Sequence, residues 1–405
     1  KREQIRYYNI HKEDLEMKNF IYYAPTKVFF GKNTENQLGE IVKSYGFKTV
    51  MVHYGMESVK KSGLLDNVLQ QLTKEGISYI EFGGVEPNPK LTKVHTGVAL
   101  AKEDQVDFIL AIGGGSVLDS AKLIAAGAKT NLDPWEFSAK RALVEDALPV
   151  GVILTLSAAG SEMSSSSVIT HEALQKKTGF NSDWNRPLFA IMNPELTYSV
   201  SKYQTACGIV DIMMHTLERY FSSVEYTPLT DDIALTLLKN VVDAGKKAYQ
   251  NPKDYEARAI LMWASSLSHN GLTGTFKDLY MPVHQLEHEL SGLHDEVAHG
   301  AGLSILFIAW AKYFLPEIEA KMAKFGEVVF GIKGNNKAVR AKQAIEALSL
   351  FYQSIQMPTK LRDLNIPGID VDALAKAPFD NTRQEIPALQ PIDEKKAKDI
   401  FIMAF

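Results

Sequence analysis

The spacing of apolar residues changes its period near residue 200, and that change limits the architectures open to this chain. From Thr26 to about Pro194, short β-branched or apolar runs alternate with amphipathic stretches, the pattern of parallel strands covered by crossover helices. Val28–Phe30, Thr49–His53, Ser78–Phe82, Phe108–Ile112 and Val150–Thr155 read as buried strands. Asn36–Tyr45, Val59–Glu75, Leu91–Asp104 and Val117–Ala128 carry apolar residues every three or four positions and read as the covering helices. From Thr205 onward only helical periodicity remains, in Gly208–Phe221, Asp231–Tyr249, Tyr255–Leu267, Val283–Leu290, Leu303–Phe314, Ile318–Phe330 and Val339–Ser354. The expectation is an α/β domain with a parallel sheet, followed by an all-helical domain. Asn193-Pro194 and the polar residues up to Ser201 interrupt the periodicity, which divides the chain into residues 17–198 and 199–405. Residues 1–16, ahead of Met17 and the first strand-like run, read as an N-terminal extension.

Composition removes several function classes. The 44 Lys plus Arg nearly balance 48 Asp plus Glu, for a formal charge of −4. No long basic block is present to hold nucleic acid or an acidic membrane. The apolar run Gly302–Ala311 is far shorter than the roughly 20 residues of a membrane span. A single cysteine, Cys207, cannot form an intramolecular disulfide, and this fits the reducing cytoplasm.

Within the first half, Phe108-Ile109-Leu110-Ala111-Ile112 runs into Gly113-Gly114-Gly115-Ser116, and a helix begins at once with Val117-Leu118-Asp119. Strand, glycine turn and helix start bring backbone N–H groups to an anion, because glycine keeps no Cβ in the way and the helix N-terminus is electropositive. A pyrophosphate cradle is expected at Gly114, Gly115 and Ser116, with Asp119 close behind. Leu118 stands where the third glycine of G-x-G-x-x-G belongs, so the motif is not the dinucleotide fingerprint, and no Walker A pattern occurs in the chain. A second loop, Gly55-Met56-Glu57-Ser58, follows the strand at Thr49–His53. Glu57 is placed to accept bonds from ribose hydroxyls and so favour NAD, whereas Lys60 and Lys61 favour the extra phosphate of NADP. The choice between the two cofactors stays open.

In the second half, His284, His288, His294 and His299 cluster within a short stretch, and upstream Asp211 and His215 lie four apart, on one helix face. Three imidazoles and one carboxylate make a site for Zn²⁺ or Fe²⁺. His284-x-x-Glu287-His288 also matches the H-x-x-E-H pattern of inverzincin hydrolases, in which the glutamate is the general base. That alternative leaves the glycine turn, Asp211 and His215 without a role.

These features, with Phe29-Phe30-Gly31, Ser58–Leu65, Pro87-Asn88-Pro89 and Gly160-Ser161-Glu162, resemble the iron-containing alcohol dehydrogenase family, in its butanol dehydrogenase branch, from Phe20 to Phe405. The resemblance implies a Rossmann-like dinucleotide-binding domain and a helical metal-binding domain, with a dehydroquinate synthase-like plan and the active site between them. It implies metal binding by Asp211, His215, His284 and His299, and places His288 near substrate and nicotinamide. An imidazole there can relay a proton to solvent, with His294 as an outer partner, or only orient a metal ligand. Asn88, Thr155, Val168 and Lys177 correspond to cofactor contacts. The activity implied is NAD- or NADP-linked interconversion of small alcohols and aldehydes with iron or zinc, by a homodimer. A dehydroquinate synthase-like lyase is the other relative in plan, but Lys177 and Arg186 alone supply little of the basic pocket it needs. Three departures stand out: Thr155-Leu156-Ser157-Ala158-Ala159 replaces a Thr-Thr-Ala-Gly-Thr run, the gap from His284 to His299 is one residue longer than the family's usual gap, with Glu296 the extra one, and Phe276–Tyr280 replaces a glycine-rich stretch.

Overall fold

The computed structural model describes residues 18–223, 225–379 and 383–405. The proposed extension, residues 1–16, lies outside them. The first half holds strands β1 (Lys27–Phe30), β2 (Thr49–Tyr54), β3 (Ser78–Phe82), β4 (Phe108–Gly113), β5 (Val150–Leu154), β6 (Ser166–His171), β7 (Lys176–Asn181) and β8 (Phe189–Met192). Six of them form one parallel sheet in the order β1-β8-β5-β4-β2-β3, while β6 and β7 pair as a separate antiparallel hairpin. β4 is central and buried at every residue, which explains its uninterrupted apolar sequence. β3 is added on one side of β2 and β4 on the other. A crevice opens at such a reversal, outside the carboxyl ends of the strands.

The sheet is covered by α1 (Leu38–Tyr45), α2 (Ser58–Lys61), α3 (Leu64–Lys74), α4 (Leu91–Glu103), α5 (Gly115–Ala128) and the short α6 (Trp135–Ser138). Two expectations change here. The stretch Val59–Glu75 is two helices, because Gly63 adopts φ 76° and breaks the run. The β6–β7 hairpin and β8 are absent from the periodicity reading: the hairpin's sequence is interrupted by serines and lysines, and β8 has only four residues.

Beyond residue 200 the chain forms α7 (Lys202–Tyr220), α8 (Pro228–Gln250), α9 (Tyr255–His269), α10 (Pro282–Leu293), α11 (His299–Tyr313), α12 (Leu315–Phe330), α13 (Lys337–Ser354), α14 (Val371–Lys376) and α15 (Glu394–Ala404). α11 is the centre of this half. Leu303, Ile305, Leu306 and Phe307 are fully buried, each stabilising the fold by about 1.5–3 kcal/mol. Its apolar character on every side reflects that burial. Among the described residues no single helix is long and apolar enough to cross a membrane.

Candidate active site

A cavity of about 1670 Å³ opens between the carboxyl edge of the sheet and the helices. At one end β4 delivers the chain to Gly113, Gly114 takes extended backbone, and α5 starts at Gly115. This turn is bare of side chains because the loop after β5 crosses it closely. A Cβ on Gly114 would stand 3.0 Å from Leu156 Cβ, and one on Gly115 3.0 Å from Ala159 Cβ. The first turn of α5 therefore opens on the cavity, where its N–H groups and dipole suit an anion. Gly114, Gly115, Ser116, Gly55 and Ser58 all line this end. Glu57 does not line the cavity; its exposed carboxylate sits 3.8 Å from Lys60 Nζ at the rim.

Between the two ends of the cavity lies the hairpin that the periodicity missed. Asp119 of α5 accepts the Val168 N–H at 2.9 Å and the Ser161 hydroxyl at 2.6 Å, so its carboxylate holds β6 in place. Lys177 of β7 donates to Ser291 Oγ at 3.0 Å and stands 3.6 Å from Glu287 Oε2, which ties the hairpin to α10. Thr155 and Val168 line the same wall. Asn88, in left-handed backbone with φ 52°, is anchored by its amide to the backbone and side-chain oxygens of Asp295. The Gly160-Ser161-Glu162 motif is structural. The buried Lys122 ammonium donates to the Ser161 carbonyl and hydroxyl, both at 2.7 Å, and to the Ser166 carbonyl at 2.9 Å, while Glu162 accepts from Ser266 of α9 at 2.6 Å.

At the other end, three helices converge. Asp211 and His215 lie one turn apart on α7, His284 is on α10 and His299 begins α11. Around the single oxygen Asp211 Oδ1, the nitrogens His215 Nδ1, His284 Nε2 and His299 Nε2 stand at 3.4, 3.6 and 3.8 Å. α11 reaches this close because of Gly300, where a Cβ would lie 2.4 Å from the Cys207 carbonyl oxygen. Glu296 falls in the exposed loop between α10 and α11, and His299 stays in reach of Asp211.

Asp211 Oδ1, His215 Nδ1 and His284 Nε2 are all buried without a hydrogen-bond partner. Unpaired polar atoms of this kind are costly, and a cation among them would relieve the cost. The separations approach the edge of a ligand tetrahedron, about 3.4 Å for metal bonds of about 2.0–2.1 Å. Asp211, His284 and His299 offer ligand atoms within 4.8 Å of one another, and His215 adjoins this group through Asp211. The donor set therefore fits a divalent metal.

Two carboxylates back the imidazoles, and the sequence reading missed this use of them. The His284 Nδ1–H donates to Glu218, which also accepts the Val283 N–H at 2.6 Å; the His299 Nδ1–H donates to the fully buried Glu287. Carboxylates so placed fix the tautomer and aim Nε2 at a metal. Glu218 was within reach of sequence reasoning, since it follows His215 by three residues on the same helix. Burial works against charge on His284, but Glu218 and Asp211 outweigh it and hold the ring up at about 9. Burial likewise opposes ionisation of Glu287, and His299 and Lys177 offset it, keeping the carboxyl below its usual range. His215 and His288 lie well below 6.5, burial being the leading cause, so both rings are neutral at pH 7. His269, also overlooked, stacks on His215 at 4.0 Å between centroids and donates through Nδ1 to the Ala159 carbonyl.

His288 lines the cavity with its ring 5.6 Å from that of His299. His294 is not in the lining, and its Nδ1 is 4.0 Å from Glu296, so a relay through His294 has no geometric support. The hydrolase alternative fails on geometry as well. His284 and His288 are perpendicular with centroids 6.4 Å apart, among the described residues no candidate ligand group contains both, and Glu287 is committed to His299. The lyase pocket is equally poor, because Lys177 is engaged by Ser291 and Arg186 by Asp183 and the Met163 carbonyl.

Residues 25–194 match the family model for iron-containing alcohol dehydrogenase, and residues 205–405 that for the C-terminal part of the Fe-containing alcohol dehydrogenase family. The chain is 41% identical to the NADH-dependent butanol dehydrogenase A of Clostridium acetobutylicum over 95% of its own length and 99% of the relative's. It is 36% identical to the NADPH-dependent aldehyde reductase YqhD of Escherichia coli, covering 89% and 92%. Among solved structures, the NADH-dependent butanol dehydrogenase A of Thermotoga maritima superposes with a TM-score of 0.91 at 34% identity, covering 96% of this chain and 99% of that one.

Proposed function

The chain belongs to the iron-containing alcohol dehydrogenase family and is an NAD(P)-linked alcohol dehydrogenase and aldehyde reductase using one divalent metal ion; within that activity we propose how its own residues divide the work. Residues 17–198 hold the dinucleotide, residues 199–405 hold the metal, and small primary alcohols of about butanol's size meet their aldehydes between the two. The observation that carries this reading is the convergence of three imidazole nitrogens on Asp211 Oδ1 in the same cavity as the glycine turn.

Asp211, His215, His284 and His299 hold the cation. When bound, the metal supplies Lewis acidity at the substrate oxygen and the nicotinamide accepts or returns hydride. Gly114, Gly115 and Ser116 take the pyrophosphate on backbone N–H groups, and Gly55 and Ser58 lie toward the adenosine end. Asn88, Thr155, Val168 and Lys177 flank the nicotinamide half, with Asp119 acting through β6. His288 is neutral at pH 7 and so is in the form that takes a proton from an alcohol and returns it to a nascent alkoxide. Membership of the family extends the proposal to a homodimer in the cytoplasm, where the buried Cys207 thiol suits a reducing environment.

The test is direct. Protein reconstituted with Fe²⁺ or Zn²⁺ is expected to hold one ion per chain and to consume NADH or NADPH when butanal is added. Reconstituted protein that binds no metal and leaves the reduced cofactor untouched would overturn the assignment.

A further inference from the structure

α7 is a ruler running away from the dinucleotide side of the cavity. It begins against the first half, where a Cβ on Gly208 would stand 2.3 Å from the Ser157 carbonyl oxygen. Asp211 and His215 follow, and one turn later, about 6 Å farther along the axis, comes Arg219. Arg219 is buried, yet it lines the same cavity. Its Nη1 donates to the His215 carbonyl at 2.6 Å, and its Nε is buried with no partner. Among the described residues no carboxylate pairs with it: neighbouring Glu218 is turned to α10, and Asp231 is taken by Lys277 and Lys321. Thr275, Leu279, Tyr280 and Met281 line the same cavity, and their segment is joined to the C-terminal end of α7 and the turn after it by Lys277 Nζ donating to the Arg219 carbonyl at 3.3 Å and the Tyr280 N–H donating to Ser222 Oγ at 3.2 Å.

A guanidinium stays charged at neutral pH and presents a planar fork that matches an oxyanion. Here it sits on the far side of the candidate metal ligands from the pyrophosphate turn, so the cofactor's phosphates are not its partner. We propose that Arg219 recognises an oxyanion at the far end of the substrate, so that a short aldehyde carrying a terminal carboxylate is preferred over its uncharged counterpart. This inference rests on the dehydrogenase reading above. The aliphatic middle of such a substrate packs on the wall at Leu279 and Met281, the reacting carbon lies at the metal end, and the carboxylate supplies the direct ion-pair partner that Glu218, turned to α10, does not.

The experiment compares 4-oxobutanoate with butanal, which share chain length and differ in one terminal group. For the metal-loaded wild type, kcat/KM should be more than about tenfold higher for the charged aldehyde, and Arg219→Met should lower that ratio by about tenfold or more, with Arg219→Lys recovering part of it. Independently of turnover, 4-hydroxybutanoate should raise the thermal midpoint of the cofactor-loaded wild type more than 1-butanol does. A wild-type ratio near one overturns the inference without recourse to any variant. So does a ratio that Arg219→Met leaves unchanged, and in either case reduction of butanal leaves the dehydrogenase assignment standing. Failure to reduce both aldehydes overturns the two together.

Discussion

The two ends of the cavity are made of different materials. The glycine turn presents backbone, on three consecutive residues between one strand and one helix. The opposite end presents side chains from α7, α10 and α11, far apart in sequence and backed by carboxylates buried for the purpose. A backbone site is cheap to build, because its polar groups are needed for the helix anyway. A side-chain site must bury charge, and it holds only where packing forces the helices together, as Gly300 permits against Cys207. Histidine itself is used in two ways. His53 of β2 is fully buried and neutral, bonded at 2.8 Å to the Phe82 carbonyl and at 3.0 Å to Ser120 of α5, whereas His284 faces two carboxylates.

The sharpest way to break the comparison is at the shared oxygen. Asp211→Ala should abolish stoichiometric metal binding and lower kcat/KM for butanal by on the order of 10³-fold or more, while NAD(P)H still binds at the glycine turn. Metal analysis and cofactor fluorescence titration of one preparation check both halves of that statement. A smaller effect should follow from the residue behind the ligand. Glu218→Gln keeps an acceptor for the Val283 N–H but removes the charge facing His284, and metal affinity should fall by about 10–100-fold. A chelator competition assay measures it; unchanged affinity would mean that Glu218 only caps α10.

The least effect on activity at neutral pH belongs to His53, whose signature is in stability instead. Burial pushes its pKa down to about 4 from 6.5. The unfolded chain therefore binds a proton on this residue below pH 6.5, the folded chain only near pH 4, and stability drains away as the pH falls through that window. The loss attributable to His53 is about 3 kcal/mol over the full window. Urea unfolding at pH 7 and pH 4.5 should show a steeper decline for the wild type than for His53→Gln, and equal declines would remove His53 from the account.

What could be read in the sequence follows the same division of materials. The glycine turn was legible because every part of it is local: five apolar residues, three glycines and a helix start in one run. Asp211 and His215 were legible because four-residue spacing on a helix is a spatial statement. That His284 and His299 meet them depends on how three helices cross, which no local pattern records; there the family resemblance carried the expectation. The same limit hid the roles of the supporting residues. Glu287 looked like a general base by its spacing from His284 and His288, yet its contact is with His299, twelve residues away. The β6–β7 hairpin escaped because its residues alternate against α5 and α10 rather than within the main sheet, so serine and lysine occupy positions where a core strand would carry apolar side chains.

The anchoring of Glu218 and Glu287 has one more effect. With both Nδ1 protons already claimed, the opposite edges of the two rings are aimed before any ion arrives. Capture of the ion then asks for shedding of its water, release of the second proton that His284 carries at neutral pH and little rearrangement of the protein, and selectivity between metals falls to the number and hardness of the donors and to the cell's supply.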